Sequence, residues 1–229
     1  MSFPRNLPKR LGIDRIVFAV LLLGSVFAAQ SPAFAFESAS LSSAVQKEEQ
    51  RLGARIGVAV LDTTDGTRWS HRGDERFPLN STHKAFTCAA FLHKVDTSQL
   101  ALSQTVSVAA TSLLPYSPVI EKSVAPQTVT LEEACSAAVS YSDNTAGNII
   151  TDAIGGPAAL TSFMRSIGDD KTRLDRKEPE LNEATPLDMR DTTTPNAITE
   201  SLRKIILGNA LTVPSRMLLE SWMVHDKVA

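Results

Sequence analysis

The amino-acid sequence predicts an α+β fold that opens with a short antiparallel hairpin and continues mainly as helices. Residues 55–62 and 67–71 have the composition of two strands, and the Thr-Thr-Asp-Gly sequence between them is typical of a tight turn. From residue 84 onward, apolar residues recur at helical spacing. With 229 residues and 43% apolar content, the chain is long enough to bury one large core or two closely packed lobes.

The other elements follow in order along the chain. Helical spacing is present in the segments 40–52, 84–95, 131–140, 145–154, 158–167, 197–207 and 214–224. Gly155-Gly156-Pro157 separates two of these helices, because glycine and proline interrupt helical structure. Residues 97–118 are expected to be irregular, with Tyr116-Ser117-Pro118 as an exposed turn, and residues 173–194 form a second segment without periodicity.

The first 35 residues predict a secretory signal peptide. Basic residues between positions 5 and 15 precede an apolar run over 16–29, and Ala33-Phe34-Ala35 fits the small-x-small cleavage pattern. The apolar run is shorter than the roughly 20 residues that span a bilayer, which argues against a membrane anchor. We therefore expect a periplasmic or secreted protein of residues 36–229, with no stable membrane association after cleavage.

Charge and histidine spacing exclude several partners. The formal net charge is −2, so the chain is not basic enough for a nucleic-acid partner. The four histidines have no metal-ligand spacing, and we expect no metal and no cofactor. His83 is expected to pack or to bond locally, and the protein to be a monomer.

Ser81 and Lys84 form the most reactive pair in the sequence. If a helix begins at Ser81, residues three apart share one face, and the Lys84 amine lies beside the Ser81 hydroxyl. A serine needs such a neighbour to become a nucleophile, and backbone N–H groups at a helix start favour developing negative charge. The S-x-x-K pattern arises about once by chance in a chain of this length, and the alternative is an N-cap serine followed by a surface lysine.

A second polar motif, Ser142-Asp143-Asn144, lies at a break between two predicted helices. Such a break can direct a hydroxyl and an amide into a cleft. Ser142 would then pass a proton to a leaving nitrogen, and Asn144 would bond a substrate amide. The alternative is that Ser142 or Asp143 only caps the helix starting at Thr145, which is compatible with the first role.

A third motif is the charged segment from Arg176 to Asn182. Glu178 precedes a proline in a long loop and is a candidate general base if the loop lies against the site. Arg176 and Asp191 flank the loop, and an ion pair between them would close it into an Ω shape. The alternative is a solvated charged loop.

Cys88 and Cys135 both lie in predicted helices that carry these motifs. An oxidising compartment would permit a disulfide between them, and the alternative is two buried free thiols.

Taken together, these motifs resemble the class A serine β-lactamases. The resemblance runs from about residue 55 to the end of the chain and rests on Phe77-Pro78, Ser81-Thr82-His83-Lys84, Tyr116-Ser117-Pro118, Ser142-Asp143-Asn144, Gly155-Gly156-Pro157, Leu174-Asp175-Arg176, Glu178-Pro179-Glu180-Leu181-Asn182, Asp191-Thr192-Thr193-Thr194-Pro195 and Ser221-Trp222-Met223. Within the class, Ser-Thr-His-Lys and Tyr-Ser-Pro-Val-Ile-Glu-Lys resemble the carbenicillin-hydrolysing group. The implied fold is β-lactamase/transpeptidase-like, with an all-helical lobe and an antiparallel sheet lobe.

The resemblance implies a mechanism for hydrolysis of small-molecule β-lactams. Ser81 would attack the lactam carbonyl, with Lys84 and Glu178 as alternative bases for this step. Ser142 would relay a proton to the lactam nitrogen. Glu178, with Asn182, would activate the water that hydrolyses the acyl-enzyme.

The resemblance also implies supporting roles for other residues. Tyr116 would line the rim of the cleft, and Asn144 would contact the acylamide side chain. Cys88 and Cys135 would form the disulfide of the family. The Glu178-Pro179 peptide bond is expected to be cis.

One motif of the family is not found. Its members carry Lys-Thr-Gly or Arg-Ser-Gly on a strand after the tryptophan-containing helix, whereas Lys171-Thr172-Arg173 lacks the glycine and precedes Glu178. That strand supplies a second oxyanion donor, whose loss costs about a hundred- to a thousandfold in turnover. We therefore expect residues 36–229 to be a partial domain with little or no activity, roughly 60 residues shorter than a complete one.

Three other functions remain possible from the sequence. A penicillin-binding transpeptidase or carboxypeptidase shares the acylation step, but has no need for the base at Glu178. A β-lactam sensor domain would be tethered by membrane segments. The third alternative is an inert, non-enzymatic fragment.

Overall fold

The computed structural model describes residues 38–109, 112–124, 127–225 and 227–228. The predicted signal peptide lies outside these residues. Helices of the described part are α1 (Ser38–Leu52), α2 (His83–Asp96), α3 (Leu131–Tyr141), α4 (Asn144–Ile154), α5 (Pro157–Ser166), α6 (Pro195–Ile206) and α7 (Val213–Val224). Its strands are β1 (Val58–Leu61), β2 (Arg68–His71), β3 (Phe77–Pro78), β4 (Thr105–Ser107), β5 (Thr128–Thr130) and β6 (Thr192–Thr193).

The strands of the described part pair into three small antiparallel sheets. The predicted hairpin is β1 and β2, which align Val58 with His71 and Leu61 with Arg68. Its strands are shorter than the predicted segments 55–62 and 67–71. The α+β fold class is confirmed, and helices make up most of the regular secondary structure in the described part of the chain.

The other two sheets were not predicted. β4 pairs with β5, so the segment 97–118, which we expected to be irregular, contributes a strand to a sheet. β3 pairs with β6, which joins the residues before Ser81 to the end of the segment 173–194. Strands of two or three residues are too short to show the alternation that identifies a strand from sequence.

Helix α2 lies at the centre of the helical part. It packs against α3, α4, α5 and α7, and most of its side chains are buried, including Phe91 and Leu92. A helix that is apolar on nearly every face is stable only when other elements surround it. The position of α2 therefore fixes where Lys84, in its first turn, is held.

A disulfide joins the two central helices. Cys88 on α2 and Cys135 on α3 are bonded, with their Cα atoms 5.7 Å apart and both side chains fully buried. The bridge connects the helix that carries Lys84 to the helix that is capped at its C-terminal end by Ser142. No helix in the described part of the chain combines the length and the apolar character that crossing a membrane requires.

We expect removal of the disulfide to destabilise the fold substantially. The bond links positions 47 residues apart and closes a long covalent loop. Without this bond, the unfolded chain is less restricted and is therefore favoured relative to the folded state. In a Cys88→Ala/Cys135→Ala double variant, the free energy of unfolding should fall by about 2–4 kcal/mol. Urea denaturation followed by circular dichroism measures this. Dithiothreitol should lower the stability of the parent protein and leave the variant unchanged, and equal midpoints for oxidised and reduced parent protein would contradict the prediction.

Candidate active site

Ser81 lies in a short turn that precedes α2. Residues Asn80–Thr82 form a 3-10 turn, and α2 begins at His83 rather than at Ser81. The preceding Leu79 is buried, and its N–H donates to the backbone oxygen of Asp191 over 2.8 Å. The turn is thus anchored on both sides, while Ser81 itself remains exposed to solvent.

The Lys84 amine is the centre of the polar contacts around Ser81. Lys84 is only 1% exposed, and its Nζ lies 3.1 Å from Ser81 Oγ, as the three-residue spacing predicts. Nζ also lies 2.7 Å from the backbone oxygen of Ser142, 3.1 Å from Ser142 Oγ and 2.7 Å from Asn144 Oδ1. Glu178 Oε1 is 3.3 Å away. An ammonium has three N–H donors, so it cannot serve all of these oxygen atoms at once.

Burial changes the protonation of Lys84. Desolvation is the main effect and lowers the pKa of the amine, because a buried cation loses its hydration. The Glu178 carboxylate acts in the opposite direction, and the net pKa lies below the ordinary lysine value. An amine of lowered pKa is a better proton acceptor for a neighbouring hydroxyl than a surface lysine.

Ser142 lies at the junction of α3 and α4 and points its hydroxyl at the nucleophile. Its φ of 55° ends α3, and its Oγ donates to Ser81 Oγ over 2.8 Å. Asp143 caps α4, since its Oδ1 accepts from the N–H of Ala146 over 2.9 Å. The predicted cap is therefore Asp143, and the helix starts at Asn144, one residue earlier than expected.

Asp143 also ties this junction to the segment containing Tyr116. Its Oδ2 accepts from the backbone N–H groups of Val119 and Ile120, both over 3.0 Å, and its side chain is fully buried. The N–H of Asn144 donates to the oxygen of Tyr116 over 3.0 Å. These bonds place the Tyr116 side chain, which is 57% exposed, near the Ser142 junction.

Two expectations for this segment need correction or refinement. The turn at Tyr116-Ser117-Pro118 was expected to be exposed, but Ser117 is buried because its hydroxyl bonds the oxygen of Leu114 and the hydroxyl of Thr145. Asn144 was expected to face a substrate amide. Its Oδ1 instead accepts from Lys84 and its Nδ2 donates to the oxygen of Pro115, which leaves one N–H of the amide for another partner.

The segment 173–192 forms a closed loop over one side of the site. Arg176 Nε donates to Asp191 Oδ2 over 2.6 Å, and Asp191 Oδ1 accepts from the N–H groups of Asp175 and Arg176. Asp191 is fully buried, and Leu181 packs into the core. Arg176 also contacts Glu183. The loop is therefore fastened at its base, although residues 182–187 are exposed to solvent, and its ends meet as the Ω shape requires.

Glu178 is held by this loop against α4. The peptide bond between Glu178 and Pro179 is cis. The N–H of Glu178 donates to Asn148 Oδ1 over 3.0 Å, and Asn148 Nδ2 donates back to the oxygen of Glu178 over 2.8 Å. Asn148 was not predicted as a site residue, although it follows Asn144 by one helical turn and thus shares its face. The Asn182 amide donates to Glu178 Oε2 over 2.6 Å.

The Glu178 carboxyl is buried and ionised. Burial is the largest effect and would raise its pKa, but it is outweighed by the contact with the His83 ring, the charge of Lys84 and the hydrogen bond from Asn182. The pKa of Glu178 is lowered to about 2. The carboxylate therefore carries its charge at every pH at which the protein would work.

His83 makes a contact with Glu178 that was not predicted from the sequence. We expected it to pack or to bond locally, and its Nδ1 does lie 3.2 Å from the hydroxyl of Thr87 one turn later. Its Nε2, however, faces Glu178 Oε1 at 3.4 Å inside the protein. The spacing of His83 from Lys84 contained no signal for this, because adjacent helical residues point in different directions.

Three of the four predicted catalytic residues border one cleft. Ser81, Lys84 and Ser142 line a hollow of about 260 Å³ that is open to solvent. Glu178 contacts Lys84 from the loop side. A larger hollow of about 620 Å³ lies beneath residues 181–190 and includes none of these four residues. Within the described ranges, no three His, Cys, Asp or Glu side chains are grouped as metal ligands.

This arrangement defines a class of enzyme. An exposed serine hydroxyl contacts a buried lysine amine and a second hydroxyl, and a buried carboxylate lies on the far side of the amine. Such a set suits a serine hydrolase that forms an acyl-enzyme and then activates water.

Comparison with known proteins identifies the family. Residues 40–228 match the beta-lactamase enzyme family, and the chain belongs to it. It is 59% identical over 199 residues to Beta-lactamase AER-1 of Aeromonas hydrophila, covering 87% of this chain and 66% of that protein. It is 47% identical over 213 residues to Beta-lactamase CARB-3 of Pseudomonas aeruginosa, covering 93% of this chain and 72% of that protein.

Solved structures agree with this assignment. An ancestral class A beta-lactamase superposes with a TM-score of 0.80 at 52% identity, covering 82% of this chain and 72% of that one. The chromosome-encoded beta-lactamase of Vibrio parahaemolyticus gives a TM-score of 0.80 at 47% identity, over 82% of this chain and 71% of that one. The family and the fold expected from the sequence are both confirmed. The chain spans about two thirds of the length of AER-1.

Replacing Asp143 by alanine should destabilise the helical part strongly. The substitution removes the cap of α4 and leaves the N–H groups of Val119 and Ile120 without their acceptor. Losing a cap costs about 1 kcal/mol, and each buried donor left unsatisfied costs about 1–3 kcal/mol. We expect the free energy of unfolding to fall by about 3 kcal/mol or more.

Asp152 offers a matched control on the same helix. Its carboxylate is exposed and pairs only with Lys177 among the described residues, so Asp152→Ala should change stability by at most about 1 kcal/mol. Both variants are compared by urea denaturation. If Asp143→Ala lost no more stability than Asp152→Ala, the bonds assigned to Asp143 would not support the fold.

Proposed function

We propose that this chain hydrolyses β-lactams through an acyl-enzyme on Ser81, and that turnover is slow because the Lys-Thr-Gly or Arg-Ser-Gly motif, which supplies a second oxyanion donor, is not found in its sequence. The observation that carries the proposal is the position of Lys84 Nζ, which contacts Ser81 Oγ at 3.1 Å and Glu178 Oε1 at 3.3 Å in a buried setting. A single amine thus links the nucleophile to the carboxylate. The likeness to AER-1 and CARB-3 supports the same reaction.

In the acylation step, Ser81 Oγ attacks the lactam carbonyl and gives up its proton. Lys84 is in direct contact with Ser81 Oγ, and Glu178 is the alternative base, acting through Lys84 or a bridging water. The N–H of Ser81 is one donor for the oxyanion that forms. Ser142 Oγ, 2.8 Å from Ser81 Oγ and 3.1 Å from Lys84 Nζ, passes the proton to the lactam nitrogen as the C–N bond breaks.

In the deacylation step, Glu178 takes a proton from water. The water oxygen attacks the ester carbonyl, the bond to Ser81 Oγ breaks, and the proton returns to that oxygen. Asn182 donates to Glu178 Oε2 and fixes the carboxylate beside the water position. A carboxylate whose pKa is about 2 is ionised at neutral pH and can accept the proton.

Substrate contacts come from residues at the rim. Tyr116 is exposed and its backbone oxygen accepts from the N–H of Asn144, and Asn144 retains one amide N–H for the acylamide side chain. Penicillins of the carbenicillin type are the substrates we infer, because the chain is similar to CARB-3 and CARB-4 of Pseudomonas aeruginosa. We further propose that the protein acts as a monomer in the periplasm or outside the cell, after loss of residues 1–35.

The main test is the lifetime of the acyl-enzyme. Glu178→Gln removes the base for water but leaves Ser81 and Lys84, so benzylpenicillin should form an adduct that persists at least about a hundredfold longer. Intact-mass spectrometry after rapid mixing measures adduct formation and decay. Ser81→Ala should form no adduct at all.

Glu180→Gln is the matched control, since Glu180 is an exposed carboxylate in the same loop. Its adduct should decay as in the parent protein. An adduct whose lifetime does not change in Glu178→Gln would favour a penicillin-binding transpeptidase, which does not need a fast hydrolytic step. Absence of any adduct in the parent chain would contradict the proposal.

The pH dependence of deacylation gives a second prediction. The pKa of Glu178 is lowered from its ordinary value of 4.5 to about 2. The base therefore loses its charge only when the pH falls toward 2, and deacylation should stay constant from neutral pH down through 4.5. Adduct decay in a series of buffers measures this, and a fall in rate centred near 4.5 would contradict it.

A further inference from the structure

Two buried polar atoms near the site have no hydrogen-bond partner in the described part of the chain. They are His83 Nε2 and Glu178 Oε1. They face each other at 3.4 Å, and both side chains are about 1% exposed. The separation exceeds the usual 2.9–3.0 Å of an N–H···O bond by about half an ångström, which a small rotation of either side chain would remove. Unsatisfied buried groups are rare, so this pair calls for an explanation.

The chemistry of the two atoms decides which nitrogen of His83 carries the proton. An ionised carboxylate only accepts hydrogen bonds. If Nε2 lacked its proton, a nitrogen lone pair and a carboxylate lone pair would face each other inside the protein. The favoured form of His83 therefore has its proton on Nε2, and the hydroxyl of Thr87 then donates to Nδ1 over 3.2 Å.

His83 is a neutral donor in this position. Burial is the main effect on its ring and lowers the pKa, so the imidazole is uncharged at neutral pH. The charged groups that face it are Glu178, Lys84 and Asp191. The two carboxylates raise its pKa and Lys84 lowers it, but burial outweighs the carboxylates.

We propose that His83 is a positioning residue for the hydrolytic step, donating Nε2–H to Glu178 Oε1 and so fixing the carboxylate that activates water. This inference rests on the proposed function of Glu178. Asn182 holds the other carboxylate oxygen at 2.6 Å, so the two neutral donors set the rotation of the carboxyl group from opposite sides. With Oε1 satisfied by His83, the Lys84 amine is free to serve Ser81.

His83→Phe tests the role, because phenylalanine fills similar space without a donor. Deacylation should slow by about tenfold to a hundredfold, the worth of a hydrogen bond to a charged group, while acylation should change by less than about threefold. The pKa of Glu178 should rise as a lowering contact is lost, so the acid limb of the deacylation profile should move to higher pH. A variant that only lost packing would not move this limb.

His83→Gln supplies the rescue, since a glutamine amide can place an N–H near the position of Nε2. It should recover most of the deacylation rate. His93→Phe is the matched control on the same helix, where the ring packs on Phe163 at 5.6 Å, and it should deacylate like the parent protein. Equal deacylation rates and acid limbs in His83→Phe and the parent protein would overturn the inference.

A measurement that needs no turnover keeps the inference separate from the proposed function. In ¹⁵N-labelled parent protein, nuclear magnetic resonance of the His83 ring should show a neutral imidazole protonated on Nε2. Glu178→Gln should shift the Nε2 signal. A ring protonated on Nδ1 would overturn the inference even if the acyl-enzyme forms and decays, whereas absence of an adduct with the expected ring signals would overturn only the hydrolytic function.

Should His83→Phe fail to fold, as judged by its thermal melting, Thr87→Val replaces it. This variant keeps the imidazole and removes the hydroxyl that holds its tautomer. Deacylation should slow several-fold, and the ring should show both neutral forms. Retention of the single Nε2–H form at the parent rate would contradict the assigned hydrogen bond.

Discussion

A lysine amine that is removed from water is the constraint on which the rest of the site depends. Lys84 is 1% exposed, and a buried cation without acceptors would be strongly unfavourable. The surrounding structure therefore has to bring oxygen atoms to Nζ from every side. Those oxygen atoms come from the turn before α2, the junction between α3 and α4, and the loop 173–192. The groups that satisfy Lys84 are the groups proposed to react.

Each of these elements is held by bonds outside the site. The disulfide ties α3 to α2, the buried Asp143 joins α4 to the segment near Tyr116, and the Arg176–Asp191 pair closes the loop. Close packing matters as well. A Cβ atom on Gly147 of α4 would lie 3.1 Å from Cε of Lys84, so any larger residue would press on the lysine stem. The positions of the groups around Lys84 Nζ therefore depend on the packing and bonding of the helical core.

The sequence predicted the parts of this arrangement that depend on local spacing. Ser81 and Lys84 are three residues apart, and their contact follows from the geometry of a helical turn. The long helices were also predictable, because their periodicity extends over two or more turns. β4 and β5 were missed because three residues carry no measurable period. The identity of the family came from several motifs taken together, since a single S-x-x-K pattern arises by chance.

Contacts between segments that are far apart in the sequence could not be predicted from local residue spacing. Ser142 follows Ser81 by 61 residues, and no periodicity relates the two hydroxyls, which are 2.8 Å apart. Asn148 and His83 are two further examples of contacts that local residue spacing does not predict. Both sit on helices that were predicted correctly, but the partner of each is Glu178, on a loop without a repeating pattern. What a helical residue contacts across a loop depends on how the loop is fastened, here by Asp191.

The two proposed steps place opposite requirements on the protonation of Lys84 and Glu178. For acylation the amine should be able to accept a proton, which burial favours by lowering its pKa, yet an adjacent carboxylate makes the charged amine more stable. For deacylation the carboxylate must stay ionised although burial favours its neutral form. If Lys84 alone stabilised Glu178, the two steps would be in conflict, because a neutral amine would leave the carboxylate without its partner.

Neutral donors resolve this conflict. Asn182 and His83 stabilise the charge on Glu178 without adding a charge of their own, so the carboxylate can remain ionised whichever protonation state Lys84 adopts.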